Sequence, residues 1–351
     1  MSTDEPARQD TDGDPIERFL EELTFHGKTE RTRSAYERVL RRFERFLGDP
    51  TANPADEPLA PATAGRRECM AWIHTLRGDL EPSTVATYAA YLHRFYAYMT
   101  EVGEFDSNPM TVVREEMDER IDTDPTRREI SVPEMRSFVD HLGHPLDRAV
   151  VVTLLKTGMR VGELCNLDLR DVSLEGDLGA YDIGNRAQLD GRTNSLYVAS
   201  DVSRGEVLNG EERTASNKRK RGTVVPVDDE LRRVLVHWLA IRPDAVSPAE
   251  PLFLSTGDKW GRRLTPPMVR SIVRSHAESV GWYEQGGGPG ENVTPHYFRH
   301  FFTTHLRDRT GDRGIVKYLR GDVADDIIDT YTHNWGTRVR DSYERHIYEL
   351  F

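Results

Sequence analysis

Cysteine is nearly absent from this chain: Cys69 and Cys165 are the two thiols in 351 residues. They stand far apart, with no CxxC pair and no Cys/His cluster, so neither a disulfide framework nor a zinc site follows. A reducing cytoplasm is the expected compartment. Lysine is scarce as well. Six lysines (Lys28, Lys156, Lys218, Lys220, Lys259 and Lys317) sit among 47 basic residues, and the rest are arginine. No run approaches the roughly 20 apolar residues that a spanning helix needs, so no membrane partner is expected. The first residues, MSTDEPARQDTDGDP, are acidic and polar. They are unlike a secretory signal or a basic transit peptide, and residues 1–14 read as a disordered tail. Net charge is −12. That acidity, with arginine in place of lysine, suits a protein kept soluble at high salt, and equally an ordinary acidic cytoplasmic protein with GC-rich coding. It excludes a uniformly basic surface and requires any basic patch to be local.

What is present is ample apolar material: 37% of residues are hydrophobic. The length fits two domains. From Pro15 to Pro109 the pattern is helical. TERTRSAYERVLRRFERFLG sets Tyr36, Val39, Leu40, Phe43, Phe46 and Leu47 at helical spacing before Gly48. RRECMAWIHTLRG repeats the pattern with Met70, Ile73 and Leu76. EPSTVATYAAYLHRFYAYMTEVG does so with Val85, Tyr88, Leu92, Phe95, Tyr96 and Met99. The spacing predicts an all-helical domain over residues 15–110. Residues 111–130 are densely charged without an apolar repeat and read as a linker.

A second domain, residues 131–351, opens at Ser131-Val132-Pro133-Glu134, a helix start with Pro inside and Glu following. Helical pattern runs through DRAVVVTLLKTGMRVGELCNL. Strand-like runs follow in NSLYVASDV and RGTVVPV, then the helix ELRRVLVHWLAIRP, a Gly-rich loop and a helix from Thr294-Pro295. The expected fold class is mostly α with a small β-sheet.

Four pieces of this domain carry groups that a phosphate can use. In TGMRVGEL, Arg160 and Glu163 lie three apart on one helix face, where a carboxylate steers a guanidinium. By itself such a pair is an ordinary surface ion pair. In TPHYFRHFFTTHL, Thr294 is placed to cap a helix whose first turn holds His296, with Arg299 one turn on. The positive helix end adds to that anion site. SNKRKRGTVVPV sets four consecutive basic residues, Lys218 to Arg221, before a strand. YLRGDVADDIIDTYTHNW places Tyr331 near the C-terminus.

Together, and in this order, the four pieces resemble the catalytic domain of the tyrosine recombinases, the phage-integrase and Xer-like family. The helical first domain is similar to that family's core-binding domain. The resemblance implies that Arg160 and Arg299 clamp a phosphate, with Glu163 as acidic companion and His296 as a further donor. It implies a general-acid lysine on a hairpin, Lys218 with Lys220 as the alternative, and Tyr331 as nucleophile, with Tyr343 next in line. The reaction implied is cleavage and rejoining of double-stranded DNA through a 3′-phosphotyrosine. It needs no metal and no cofactor, and is carried out by homo-tetramers on paired sites. In the family such tetramers trade a C-terminal segment; the amphipathic DSYERHIYELF is suited to that or, equally, to a plain packing helix. Two departures stand out. Nine residues before Tyr331 the family carries His or Trp, and this chain has Asp322. An ionised aspartate repels a phosphate; it can instead hold an arginine or the hairpin, or stay neutral, with His300, His305 or His333 as substitute donors. The stretch from Gly176 to Thr214 is longer than usual and reads as an inserted surface loop. The competing expectations are a topoisomerase IB-like nicking and closing enzyme and a catalytically impaired DNA-binding regulator.

Overall fold

The computed structural model describes residues 13–121, 127–175, 186–288, 290–322 and 335–351. The chain divides into two compact units, Met1–Pro125 and Thr126–Phe351.

The first unit is all helical: α1 (Pro15–Phe25), α2 (Glu30–Gly48), α3 (Arg66–Arg77), α4 (Pro82–Glu101) and α5 (Met110–Glu116). Asp14, expected in the tail, is instead the N-cap of α1, and its carboxylate accepts from the Ile16 N–H at 2.9 Å. Each helix turns one apolar stripe inward. Phe19, Phe43, Trp72, Phe95 and Tyr96 form an aromatic centre, with Phe43 edge-on to Trp72 at 5.1 Å. The linker expected over residues 111–130 is corrected in its first part. Met110 and Val113 on one face of α5, and Met117 just after it, are buried in the core of this unit. Their spacing was hidden among charged neighbours.

The second unit contains α6 (Val132–Asp140), α7 (Pro145–Thr157), α8 (Val161–Cys165), β1 (Val172–Ser173), β2 (Ser195–Val198), β3 (Val207–Leu208), β4 (Glu211–Glu212) and β5 (Thr223–Pro226). It continues with α9 (Asp229–Ile241), α10 (Pro266–Ser279), α11 (Pro295–Thr310), α12 (Arg313–Arg320) and α13 (Trp335–His346). Ser131 and Glu134 close the expected capping box at the start of α6. The buried run Ala149–Leu155 makes α7 the central helix, packed between α9 and α11. Helix α10 was not foreseen; Val269, Val273 and Ala277 bury its inner face.

Strands β1, β2 and β5 form an antiparallel sheet with β2 in the middle and Leu196 opposite Val225. The inserted loop expected from Gly176 to Thr214 is therefore wrong for its middle portion, because β2 lies inside it and buries Leu196 and Val198. Residues 176–185 lie outside the described residues. The excursion from β2 to β5 holds the small hairpin β3–β4. Its tip is Asn209-Gly210, with φ of 54° and 78°, the backbone of a two-residue turn that matches strand twist. Buried Arg213 ties this excursion to buried Asp168 at 2.7 Å, and Arg263 reaches the same carboxylate at 2.6 Å. Among the described residues no helix is long and apolar enough to cross a membrane.

Candidate active site

The site forms where three helix ends meet. Helix α7 stops at Gly158, whose φ is 61°. A Cβ there would overlap the Phe302 ring of α11, so a glycine both turns the chain and lets α11 approach. Two residues later Arg160 is the N-cap of α8. Its N–H donates to Glu163 Oε2 at 2.9 Å, and its Nη1 donates to Glu163 Oε1 at 3.1 Å. Arg299 comes from the second turn of α11 and is 2% exposed. Its Nη1 donates to the carbonyls of Gly158 at 2.7 Å and Arg320 at 3.1 Å. Thr294 holds the N-cap position of α11, but its side chain makes no capping hydrogen bond. That corrects the cap expected for it: the start of α11 rests on Pro295 and the extended backbone before it.

Asp322 joins the two arginines. Its Oδ1 accepts from Arg160 Nη2 and from Arg299 Nη2, each at 2.8 Å, and its Oδ2 accepts from Arg299 Nη2 at 2.8 Å. Arg320 Nη2 lies 2.9 Å from Oδ2. Burial opposes ionisation of Asp322, but Arg299, Arg320 and Arg160 outweigh it and hold the pKa below the usual carboxylate value. The neutral acid considered from the sequence is thus not what the geometry gives. Burial, reinforced by Arg160 and Arg320 alongside, pulls Arg299 down to about 10, against the pull of Asp322 and Glu163. For Arg160, burial is overridden by Glu163 and Asp322, and the pKa rises. His296 stands in the first turn of α11. Desolvation, then the charges of Arg127, Arg299, Arg160 and Arg320, lower its pKa, which leaves it a neutral imidazole with one N–H to donate.

The lysine loop alternates. Lys218 and Lys220 are exposed, while Arg219 between them is buried. Arg219 donates to the Leu319 carbonyl at 2.9 Å and to Glu163 Oε2 at 3.2 Å. The Lys218 carbonyl accepts from Arg160 at 3.3 Å, and the Lys220 N–H donates to the Gly321 carbonyl at 3.0 Å. Gly321 has φ of 69°, and a Cβ there would overlap the Arg219 side chain. The loop is thereby laid against both α8 and the end of α12. Sequence reasoning missed Arg219 and Arg320. Arg219 is hidden in a basic run that reads as solvated, and its only signal is the alternation typical of an extended segment.

Tyr331 and His333 lie outside the described residues. Tyr343 is fully buried, and its hydroxyl donates to the Lys156 carbonyl at 2.9 Å. That removes it as the reserve nucleophile: no DNA phosphate reaches a phenol enclosed by the core. We predict that Tyr343→Phe leaves the fold intact and costs about 1–3 kcal/mol of stability, because the buried Lys156 carbonyl loses its donor, checked by urea denaturation. His305 packs against Phe301 at 4.2 Å between ring centroids, a packing role. The C-terminal segment docks on its own unit. Tyr348 and Leu350 are buried, and Glu230 accepts from the Leu350 and Phe351 N–H groups at 2.8 and 2.9 Å.

Two guanidiniums meeting on one carboxylate oxygen, beside an imidazole and a lysine loop, have the donors to hold an oxyanion, which here is Asp322. Residues 131–337 match the phage integrase family, and residues 16–103 match the N-terminal SAM-like domain of phage integrases. The chain belongs to the phage integrase family. It is a site-specific tyrosine recombinase by class. Similar proteins include Tyrosine recombinase XerC of Pelobacter propionicus, 26% identical over 94% of this chain and 95% of that one. Tyrosine recombinase XerC of Chromohalobacter salexigens is also 26% identical, over 94% of both. The fold is shared with the Tn1549 transposon integrase in complex with a circular intermediate DNA. That match has a TM-score of 0.64 at 17% identity, covering 94% of this chain and 98% of the other. It is shared too with a lambda integrase dimer bound to a core site, with a TM-score of 0.60 at 15% identity over 89% and 95%.

Proposed function

We infer that this protein cuts and rejoins double-stranded DNA at specific sites through a covalent 3′-phosphotyrosine, with Tyr331 as nucleophile. The observation that carries the reading is the convergence of Arg160 and Arg299 within 2.8 Å of a single oxyanion, Asp322 Oδ1. Phosphoryl transfer asks for positioned cations around the oxygens that gain charge. In the reacting complex those two guanidiniums take the non-bridging oxygens of the scissile phosphate, and His296 adds a donor. The Tyr331 oxygen bonds to phosphorus as its proton passes to water and the bond to the 5′-oxygen breaks. That oxygen leaves with a proton from Lys218. Lys220 stays the alternative, since the loop is tied on both sides, by the Lys218 carbonyl to Arg160 and by the Lys220 N–H to Gly321. The phosphodiester energy is kept in the tyrosyl ester, so rejoining is the reverse attack by a 5′-hydroxyl.

Phosphate contacts supply most of the affinity for the duplex, and two sites are paired in a homo-tetramer. The test begins with DNA fragments selected by binding, rebuilt as nicked duplexes that lose the leaving strand. An SDS-resistant protein–DNA adduct with a free 5′-hydroxyl on the released strand is expected. Tight binding without any adduct would leave only a DNA-binding regulator. A plasmid with two such sites should yield recombinant circles; relaxed plasmid alone would mean a nicking and closing enzyme.

A further inference from the structure

The two arginines assigned to the scissile phosphate are not waiting open. Asp322 Oδ1 takes Arg160 Nη2 and Arg299 Nη2, and Oδ2 takes Arg299 Nη2 and Arg320 Nη2, all at 2.8 to 2.9 Å. Arg299 Nη1 is already committed to the Gly158 and Arg320 carbonyls. While Asp322 stays, the Arg299 Nη1 and Nη2 groups are both taken, and Arg160 gives an Nη2 hydrogen to Asp322 rather than to an incoming anion. A carboxylate and a phosphodiester are alike in the feature that matters here. Each offers two oxygens that share one negative charge, which a guanidinium fork binds in the same way.

Charge and accessibility place Asp322 between Arg299 and incoming anions, while Arg160 and Arg320 are each 28% exposed. The Arg299 side chain is 2% exposed, whereas the Asp322 side chain is 25% exposed. Among the described residues, the carboxylates paired with Arg160, Arg219, Arg299 and Arg320 are Glu163 and Asp322. A buried guanidinium among like charges is costly without a partner, so in the free protein Asp322 supplies the missing anion. Exchange asks little of the backbone. The Asp322 N–H is held by the Lys317 carbonyl at 3.0 Å and the Gly321 N–H by the Tyr318 carbonyl at 2.8 Å. The end of α12 stays closed while one short side chain rotates away.

We propose that Asp322 is an internal counter-ion that occupies the phosphate subsite of the free protein and is displaced when a DNA phosphate enters. The proposal rests on the reading that Arg160 and Arg299 bind that phosphate. One anion leaves as one arrives, so the charge balance of the cluster is kept. Contacts too weak to complete the exchange leave the arginines occupied and the strand uncut. Asp322 thereby sets a threshold that favours fully engaged sites over random duplex.

The direct test uses inorganic phosphate as the probe, at a fixed ionic strength near 0.15 M so that distant charges are screened. Asp322→Asn keeps the side-chain shape and removes the charge. Its apparent Kd for phosphate, read from the shift in thermal unfolding with phosphate concentration, is expected to fall on the order of tenfold. Asp322→His should move the same way, which covers the case where the asparagine variant does not fold. Asp308→Asn, a change of equal charge at an exposed position on α11, should shift the Kd by less than about twofold. Unchanged or weaker phosphate binding in both Asp322 variants would overturn the proposal and make the residue an organiser of the arginines. The recombinase reading fails separately. Tighter phosphate binding with no DNA adduct upholds the counter-ion and removes the role given to the arginines. An adduct without tighter phosphate binding upholds that role and overturns the counter-ion.

Discussion

Arg299→Ala is expected to slow formation of the covalent DNA adduct by at least about 10²–10³-fold, the loss typical of removing one preorganised donor to a developing oxyanion. The position leaves no substitute. Arg299 is buried and binds the Gly158 carbonyl, the Arg320 carbonyl and both oxygens of Asp322. Alanine removes the cation and leaves those acceptors without it, at about 1–3 kcal/mol for each that stays buried and unpaired. Arg299→Lys is expected to recover little. A single ammonium cannot span two carbonyls and a carboxylate as the planar fork does. Single-turnover cleavage of a nicked substrate, with urea denaturation alongside, separates the two effects. A variant that cleaves at the wild-type rate once saturated with DNA would show that Arg299 binds without stabilising the transition state.

The second large effect falls on Glu163. Its side chain is fully buried and bridges Arg160 to Arg219, itself fully buried. Breaking a buried ion pair from one side costs about 3–5 kcal/mol, because the remaining charge stays uncompensated. Glu163→Ala should therefore lower stability by about that amount, seen as an earlier urea midpoint with an unchanged slope. Burial already holds the Arg219 pKa below its usual value, with Glu163 pulling it back up. Removing the carboxylate also frees the lysine loop, since Arg219 pins the backbone between Lys218 and Lys220. Cleavage should fall beyond what the lost stability explains, and Glu163→Gln should restore part of it by keeping the cap on the Arg160 N–H. A change of under about 1 kcal/mol would show that Arg219 finds another partner.

The helices of the first unit were legible because Phe43, Ile73, Phe95 and their neighbours repeat at helical spacing and one stripe is buried in each. Helix α5 was not. Met110, Val113 and Met117 are three apolar residues among charges, and only packing against the rest of the unit makes Met110 and Val113 a helix face. Arg160 with Glu163, and His296 with Arg299, were readable for a local reason: each pair lies within one helix or at its cap, where spacing fixes the side. Asp322 was readable as an anomaly but not as a partner. Its contacts come from α8, α11 and α12, which tertiary folding brings together across 162 residues of chain between Arg160 and Asp322. Arg219 was hidden for the same reason. A basic run says nothing of which member turns inward until Glu163 and the end of α12 receive it.

Which atom attacks the phosphorus is decided by one measurement. Wild-type protein trapped on a nicked DNA site should yield, after proteolysis and mass spectrometry, a single nucleotide-bearing peptide modified at Tyr331. Tyr331→Phe should give no adduct while binding the same DNA. Modification at another residue, or an adduct that persists in Tyr331→Phe, would contradict the role given to Tyr331.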